Sequence, residues 1–351
     1  MCSAIFNQIE SLSNELLLDT FEYLDAYNLY QAFYGLNHRI NGLLQSAHLH
    51  IIYDSSNENE RDWDTLKSFI NPSQIRILSC YNDVNIDTHF LSSAKENLWS
   101  VRLREINSQS ISTIFQHFPS GNQIKCLSIR ESWCSSNPTS HSLFYFILVD
   151  NADRFTSLIN LSLSCAHYVD VFPTVSVQFL QLRHLLINNC YWSTNLLQFL
   201  QNNVPNLKSL KLFGYYNLLN VPPDFALKHI NELHMNHPDN FICLQNILSV
   251  FPCLRRLYID QANNRRLPVI NGVQWQQLIE KYLTNLRQFI IDYGDGIDED
   301  IVQTFYTSEF WSTKNVKVKM IINKTQSRYR LVKTIYFGQQ WQFRYCNNFD
   351  L

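Results

Sequence analysis

The chain has 351 residues, of which 46% are hydrophobic and 17% charged, and its formal net charge is −2. That length suits one long solenoid or two ordinary domains, and the apolar share excludes wholesale disorder. A chain so close to neutral has no broad basic field and no acidic tail, so nucleic acid is not an expected partner.

The first fifty residues read as three short helices. Leu17, Phe21 and Leu24 fall at i, i+4 and i+7, one face of a helix. After a break at 25–28, with Asn28 as the expected N-cap, Leu29, Phe33 and Leu36 repeat that spacing. Ile40, Leu43 and Leu44 suggest the third helix. A short strand at 49–53 leads into a polar loop at 54–62.

From about residue 63 a phrase recurs: an apolar residue, two residues, an apolar residue, one residue, an apolar residue. It reads Ile75/Leu78/Cys80, Leu98/Val101/Leu103, Ile124/Leu127/Ile129, Leu158/Leu161/Leu163 and Leu182/Leu185/Ile187. It continues as Leu207/Leu210/Leu212, Ile230/Leu233/Met235, Leu254/Leu257/Ile259 and Leu286/Phe289/Ile291. Most steps between phrases are 23 to 26 residues, a period that means stacked units, each too small to bury its apolar face alone. Helices expected at 63–70, 90–97, 110–117, 143–153, 195–203, 244–250 and 275–282 each precede a phrase. Helix and strand in alternation predict a parallel sheet with helices on one side. Longer steps carry insertions at 135–142 and 261–272, the usual place for partner contacts in a solenoid. In the tail, Val316, Val318 and Met320, and later Trp341, Phe343 and Tyr345, alternate with polar residues as half-buried strands do, and 331–337 reads as a further strand with Gly338 in the turn after it. This is the expected C-terminal β cap.

Other chemistry finds little support. The longest apolar run, 143–149, is far short of a membrane span, and nothing at the N-terminus reads as a secretory signal. The nine cysteines include no CxxC pair, which favours reduced thiols in the cytoplasm or nucleus. His229, His234 and His237 are expected as surface histidines rather than metal ligands, because strand geometry puts the first two on opposite faces. Asp292, Asp295, Asp298, Glu299 and Asp300 do not follow a calcium-loop order and read as a solvated turn before an acidic helix start. No hydrolase elbow, phosphate loop, zinc-protease or dinucleotide motif occurs, so neither an enzyme nor a cofactor is expected.

The opening segment resembles an F-box. The residues are Leu12-Ser13-Asn14-Glu15-Leu16-Leu17-Leu18-Asp19-Thr20-Phe21-Glu22-Tyr23-Leu24, then Asn28-Leu29, then Leu36-Asn37-His38-Arg39. Ser13 departs from the proline the family usually has; serine caps a helix instead. The remainder resembles the leucine-rich repeats that commonly follow an F-box. The resemblance implies an α/β fold: an N-terminal three-helix F-box at 1–48, then a leucine-rich-repeat horseshoe at 49–313, closed by the cap at 314–351. Parallel strands would line its concave face and helices its convex face. It also implies a substrate receptor of an SCF-type cullin–RING ubiquitin ligase, with a Skp-type adaptor and a cullin as partners and a target protein on the repeats. The adaptor face would be Leu12, Glu15, Leu16, Leu17, Phe21, Leu24 and Leu29; the same residues would equally serve a small helical cap. A repeat scaffold outside any ligase is the competing function.

Within the phrase, the residues between the apolar ones alternate outward. They include Arg102, Arg104 and Arg130 near the N-terminal end and Phe213 and Tyr258 further along. Arginine and aromatic residues commonly anchor interfaces, so these five are the expected target-binding residues. An ordinary solvated sheet face is the alternative.

Overall fold

In the computed structural model, three short helices between residues 14 and 46 are each started by a side-chain cap. The structure describes residues 9–54, 67–82, 92–94, 97–116, 123–132, 143–169, 176–216, 222, 225–236, 238, 241–260, 270–295, 299–306, 308–313, 317–326, 329–337 and 344–346. The insertion at 135–142, nearly all of that at 261–272, and His237 and Gly338 lie outside these. The chain forms two units, Met1–Ala166 and His167–Leu351.

In the first unit, α1 (Asn14–Glu22), α2 (Ala26–Phe33) and α3 (His38–Ser46) take Ser13, Asp25 and Asn37 as N-caps. The second helix thus starts earlier than its expected Asn28 cap. Asp25 accepts the Asn28 amide at 3.1 Å and also the Asn28 side-chain amide, so the aspartate caps and the asparagine braces it. Leu17, Phe21, Leu29, Phe33, Ile40 and Leu44 fill the space between the helices, with the Phe21 and Phe33 rings 5.0 Å apart.

Strands β1 (Leu49–Asp54), β2 (Ile75–Tyr81), β3 (Ser100–Ile106), β4 (Cys126–Glu131) and β5 (Asn160–Val169) pair in chain order, all parallel. Helix α4 (Ser108–Gln116) joins β3 to β4. Between β4 and β5 a helical turn, Leu143–Tyr145, widens into a π-helix, Phe146–Asp150, and ends in a 3-10 turn, Ala152–Phe155. Gln74 fastens the helices to the sheet. Its buried amide donates to the carbonyls of Leu44 at 2.8 Å and Ala47 at 3.0 Å, and accepts the Asn71 amide at 3.2 Å. Tyr30 on α2 adds a hydrogen bond to the Phe69 carbonyl at 3.1 Å. The expected domain edge at 48/49 falls within this unit.

In the second unit, β6 (His184–Trp192), β7 (Ser209–Tyr216), β8 (Glu232–Asn236), β9 (Arg256–Asp260), β10 (Gln288–Asp295) and β11 (Lys317–Gln326) pair in parallel, again in chain order. Helices α5 (Thr194–Asn202), α6 (Phe241–Ser249), α7 (Gly272–Tyr282), α8 (Glu299–Tyr306) and α9 (Glu309–Thr313) lie between strands. After β11 the pairing turns antiparallel through β12 (Tyr329–Phe337) and β13 (Arg344–Cys346). The chain is therefore α/β, with helices between parallel strands.

Every residue of all nine phrases is buried. Leu78, Val101, Leu127 and Leu161 form one register row in the first unit; Leu185, Leu210, Leu233, Leu257 and Phe289 form one in the second. Burying such a side chain contributes about 1.5–3 kcal/mol. Asn82, Glu105 and Asn189 have positive φ of 59°, 55° and 57°, each two residues after the last apolar residue of its phrase. Glu105 and Asn189 are bulged: the register skips them between Arg104 and Ile106 and between Asn188 and Cys190.

Candidate binding surfaces

The helices of the first unit expose an apolar ridge. On α1, Leu17 and Phe21 are 1% and 0% exposed, but Leu16 and Tyr23, one place off that face and seven residues apart, are 53% and 90% exposed. Of the residues expected to meet an adaptor, Leu17, Phe21 and Leu29 belong to the core, Leu12 and Leu24 are half-buried, and Glu15 and Leu16 face solvent. This division has a simple cause. The face that periodicity selects is the face that three short helices bury against one another. Ser13 accepts the Leu16 amide at 3.4 Å. Hydrogen bonds from its own backbone amide and from Ser13, then the Arg39 charge, hold the exposed Glu15 carboxyl below its ordinary range.

Arg39 was legible only as a basic residue in the F-box-like pattern. It ties the start of α3 to the segment before α1, donating to Asn14 Oδ1 at 2.8 Å and to the carbonyls of Glu10 at 2.7 Å and Leu12 at 2.5 Å. Asn37 donates to the Glu10 carboxylate at 2.7 Å beside it.

On the sheet face of the first unit, Arg102 lies in register between Ser79 and Ser128, and Arg104 between Tyr81 and Arg130. All three arginines are exposed. Arg104 sits 5.6 Å over the Tyr81 ring, and Arg130 pairs with Glu105 at 2.9 Å. The bulge makes the second contact possible: a left-handed residue at 105 turns its carboxylate toward the neighbouring strand. His50 shares a 2.9 Å hydrogen bond with the buried Ser79 hydroxyl. Burial and then the Arg102 charge lower its pKa, against a small opposite pull from Asp25.

On the sheet face of the second unit, three rings form a shelf. The Phe213 and His234 centroids are 4.6 Å apart, and those of His234 and Tyr258 are 3.8 Å apart. His234 is half-buried between them rather than a surface histidine, and burial, then Lys211, pushes its pKa down to about 4. Asp260 and Asp292 lie in register beside the shelf. Burial first, then the charges of Asp292 and Asp260 and a hydrogen bond to Asp292, raise Tyr258 to about 12. Arg256 pairs with Glu232 at 3.6 Å one row away. The structure thus brings Phe213 and Tyr258 to one place, with His234 between them.

Burial pushes the Cys80 thiol up and the Cys190 thiol to about 12, so neither is a thiolate near neutral pH. Among the described residues, no group of three His, Cys, Asp or Glu could hold a metal ion, and no helix is long and apolar enough to cross a membrane. No protein-family model matches the chain, and comparison with curated proteins finds no match.

Proposed function

We propose that the chain is the substrate receptor of an SCF-type ubiquitin ligase, an F-box followed by a leucine-rich-repeat horseshoe. The observation that carries this reading is the uncovered Leu16/Tyr23 ridge on α1, in a three-helix unit that leads directly into repeated parallel strands. A ridge of large apolar side chains facing water suits a partner helix or groove. Leu12, Glu15, Leu16 and Leu24, with Tyr23, meet the Skp-type adaptor and through it the cullin; Leu17, Phe21 and Leu29 hold the helices in place. Arg102 and Arg104 meet an acidic segment of the target, since a guanidinium fork pairs oxyanions bidentately. The receptor itself performs no chemistry and needs no cofactor; its place would be the cytoplasm or nucleus.

One observation favours a repeat scaffold outside any ligase. Ser13 stands where the family's proline usually stands, and its hydroxyl is engaged by the Leu16 amide and the Glu15 carboxylate. Affinity purification of the full chain separates the two. Recovery of adaptor and cullin by the natural chain, and their loss from a Leu16→Glu/Tyr23→Asp variant with an unchanged melting temperature, supports the receptor. Absence of the adaptor from the natural chain's complexes would leave the scaffold.

A further inference from the structure

We propose that the edge of the second unit where β7–β10 begin binds an extended acidic segment of a partner protein. Arg183, Lys208, Asn231, Arg255 and Arg287 each stand one place before a strand, from β6 to β10 in order. Their backbones link into one row. Lys208 donates its amide to the Arg183 carbonyl at 2.8 Å, Asn231 to Lys208 at 3.1 Å, Arg255 to Asn231 at 2.8 Å and Arg287 to Arg255 at 2.9 Å. Neighbours in such a ladder are about 4.8 Å apart. The one uncharged member, Asn231, is preceded by Lys228 in the turn that enters β8. Each of four adjacent strands is therefore entered beside an exposed cation: Lys208, Lys228, Arg255 and Arg287. Among the described residues, no carboxylate or hydrogen-bond acceptor engages any of these four side chains. Arg183 differs, because its guanidinium donates to the Asn206 carbonyl at 3.0 Å. The Lys208 charge acts on His229, whose pKa it lowers after burial does, so that contact is repulsive and does not neutralise the lysine.

Charge complementarity selects the occupant. The chain as a whole carries a formal charge of −2, so four unmatched cations along one edge are a local concentration. The next row inward, His184, Ser209, Glu232, Arg256 and Gln288, does not offset them, since Glu232 is matched by Arg256 at 3.6 Å. The equivalent row of the first unit, linked by the same backbone bonds, is Arg76, Trp99, Lys125 and Ile159, and its Arg76 is spent on the Asn97 carbonyl at 2.9 Å. From Lys208 to Arg287 the row spans three strand gaps, about 14 Å, which an extended segment of about five residues crosses. The long lysine and arginine stems let the charges adjust to acids at alternate positions, and each guanidinium fork can take a carboxylate bidentately. No member of the row is aromatic, so a nucleic-acid strand would find no stacking platform. Of the large apolar side chains exposed in the described second unit, Leu180 lies by this edge, while Ile242 and Val273 are in the first turns of α6 and α7. A lipid surface would therefore find a single apolar anchor.

This inference goes beyond the receptor reading and does not depend on ligase membership. The test is fluorescence anisotropy of a labelled oligo-glutamate peptide with the full chain. Oligo-thymidylate and phosphatidylserine vesicles are the rival probes. The peptide should bind, more weakly as salt is raised, and the rivals should bind less. Binding should persist in Arg102→Gln/Arg104→Gln, which removes the free arginines of the first unit's sheet face. Each exposed ion pair contributes modestly, so the effect of the edge is collective. Lys208→Gln/Lys228→Gln/Arg255→Gln/Arg287→Gln should weaken binding by roughly tenfold or more. If that variant fails to fold, Arg255→Gln/Arg287→Gln should still weaken it by roughly threefold. No peptide binding, equal or tighter binding of either rival, loss of binding in Arg102→Gln/Arg104→Gln, or undiminished binding by the folded edge variant would overturn the proposal. Peptide binding without adaptor capture sinks only the ligase reading; adaptor capture without peptide binding sinks only this one.

Discussion

Asn236 continues a strand ladder past the point where its own strand ends. Its side-chain amide donates to the Gly214 carbonyl at 2.8 Å and accepts the Gly214 amide at 3.0 Å. The last backbone pair between β7 and β8 is Leu212 with Met235, so the side chain does the work of the next peptide. On its other side Gly214 has no room: a Cβ there would lie 1.9 Å from the Cys190 carbonyl oxygen. Asn236→Ala should therefore cost about 1–2 kcal/mol through two unsatisfied backbone groups, and Gly214→Ala about 3 kcal/mol or more through backbone displacement. Urea denaturation of both variants checks the order; an Asn236→Ala loss as large as that of Gly214→Ala would contradict it.

Phe21 and Leu16 separate folding from docking. Phe21 is fully buried against Phe33, so Phe21→Ala should destabilise the first unit by about 3–5 kcal/mol. Leu16→Glu removes an exposed side chain and should move the melting temperature little while weakening capture of a partner on α1. Circular-dichroism melts alongside a pull-down would show this split. Loss of stability in Leu16→Glu would mean that the ridge is part of the core.

Arg102 and Arg104 are better probes of the first unit's face than Arg130. Reversing Arg130 would set a carboxylate against Glu105, which it now pairs with at 2.9 Å, and so confuse repulsion within the sheet with loss of a ligand. Arg102→Glu/Arg104→Glu should abolish capture of acidic targets while leaving adaptor binding unchanged. Recovery of the same targets by proteomic pull-down from the reversed chain would make these arginines ordinary surface charge.

His234 should give the chain an acid sensitivity. Its folded pKa is about 4 against an ordinary 6.5. Between those values the unfolded chain binds a proton that the folded chain does not, so stability falls as pH drops from 6.5 toward 4 and levels off below. The charged and titratable groups packed around it are Lys211 and Tyr258, with Asp260 and Asp292 beyond. His50, lowered in the same direction, adds to the slope. His234→Phe should flatten part of it; an identical dependence of the urea midpoint on pH in both chains would remove His234 as the cause.

The repeated phrase made the strands and their register legible, because an apolar row that must stay buried tolerates no slip of one residue. The same spacing in adjacent phrases sets Leu103 opposite Ile129. The bulges were not legible. Nothing in Arg104-Glu105-Ile106 announces a left-handed glutamate, and the pairing of Glu105 with Arg130 follows only from that turn. On the helices, spacing identified an apolar face without saying that its neighbours would cover it, so the exposed residues turned out to be the off-period Leu16 and Tyr23. His234 looked like a surface histidine because alternation tells direction, not how closely Phe213 and Tyr258 close over it.

The Gln74 amide, held by Leu44, Ala47 and Asn71, ties the three helices to the first strands through three hydrogen bonds. Anything gripped at α1 and anything resting on the arginines of β3 would therefore be presented to each other at a set separation, as two jaws cut from one piece. Loosening Gln74 would change the reach between them without touching either contact surface.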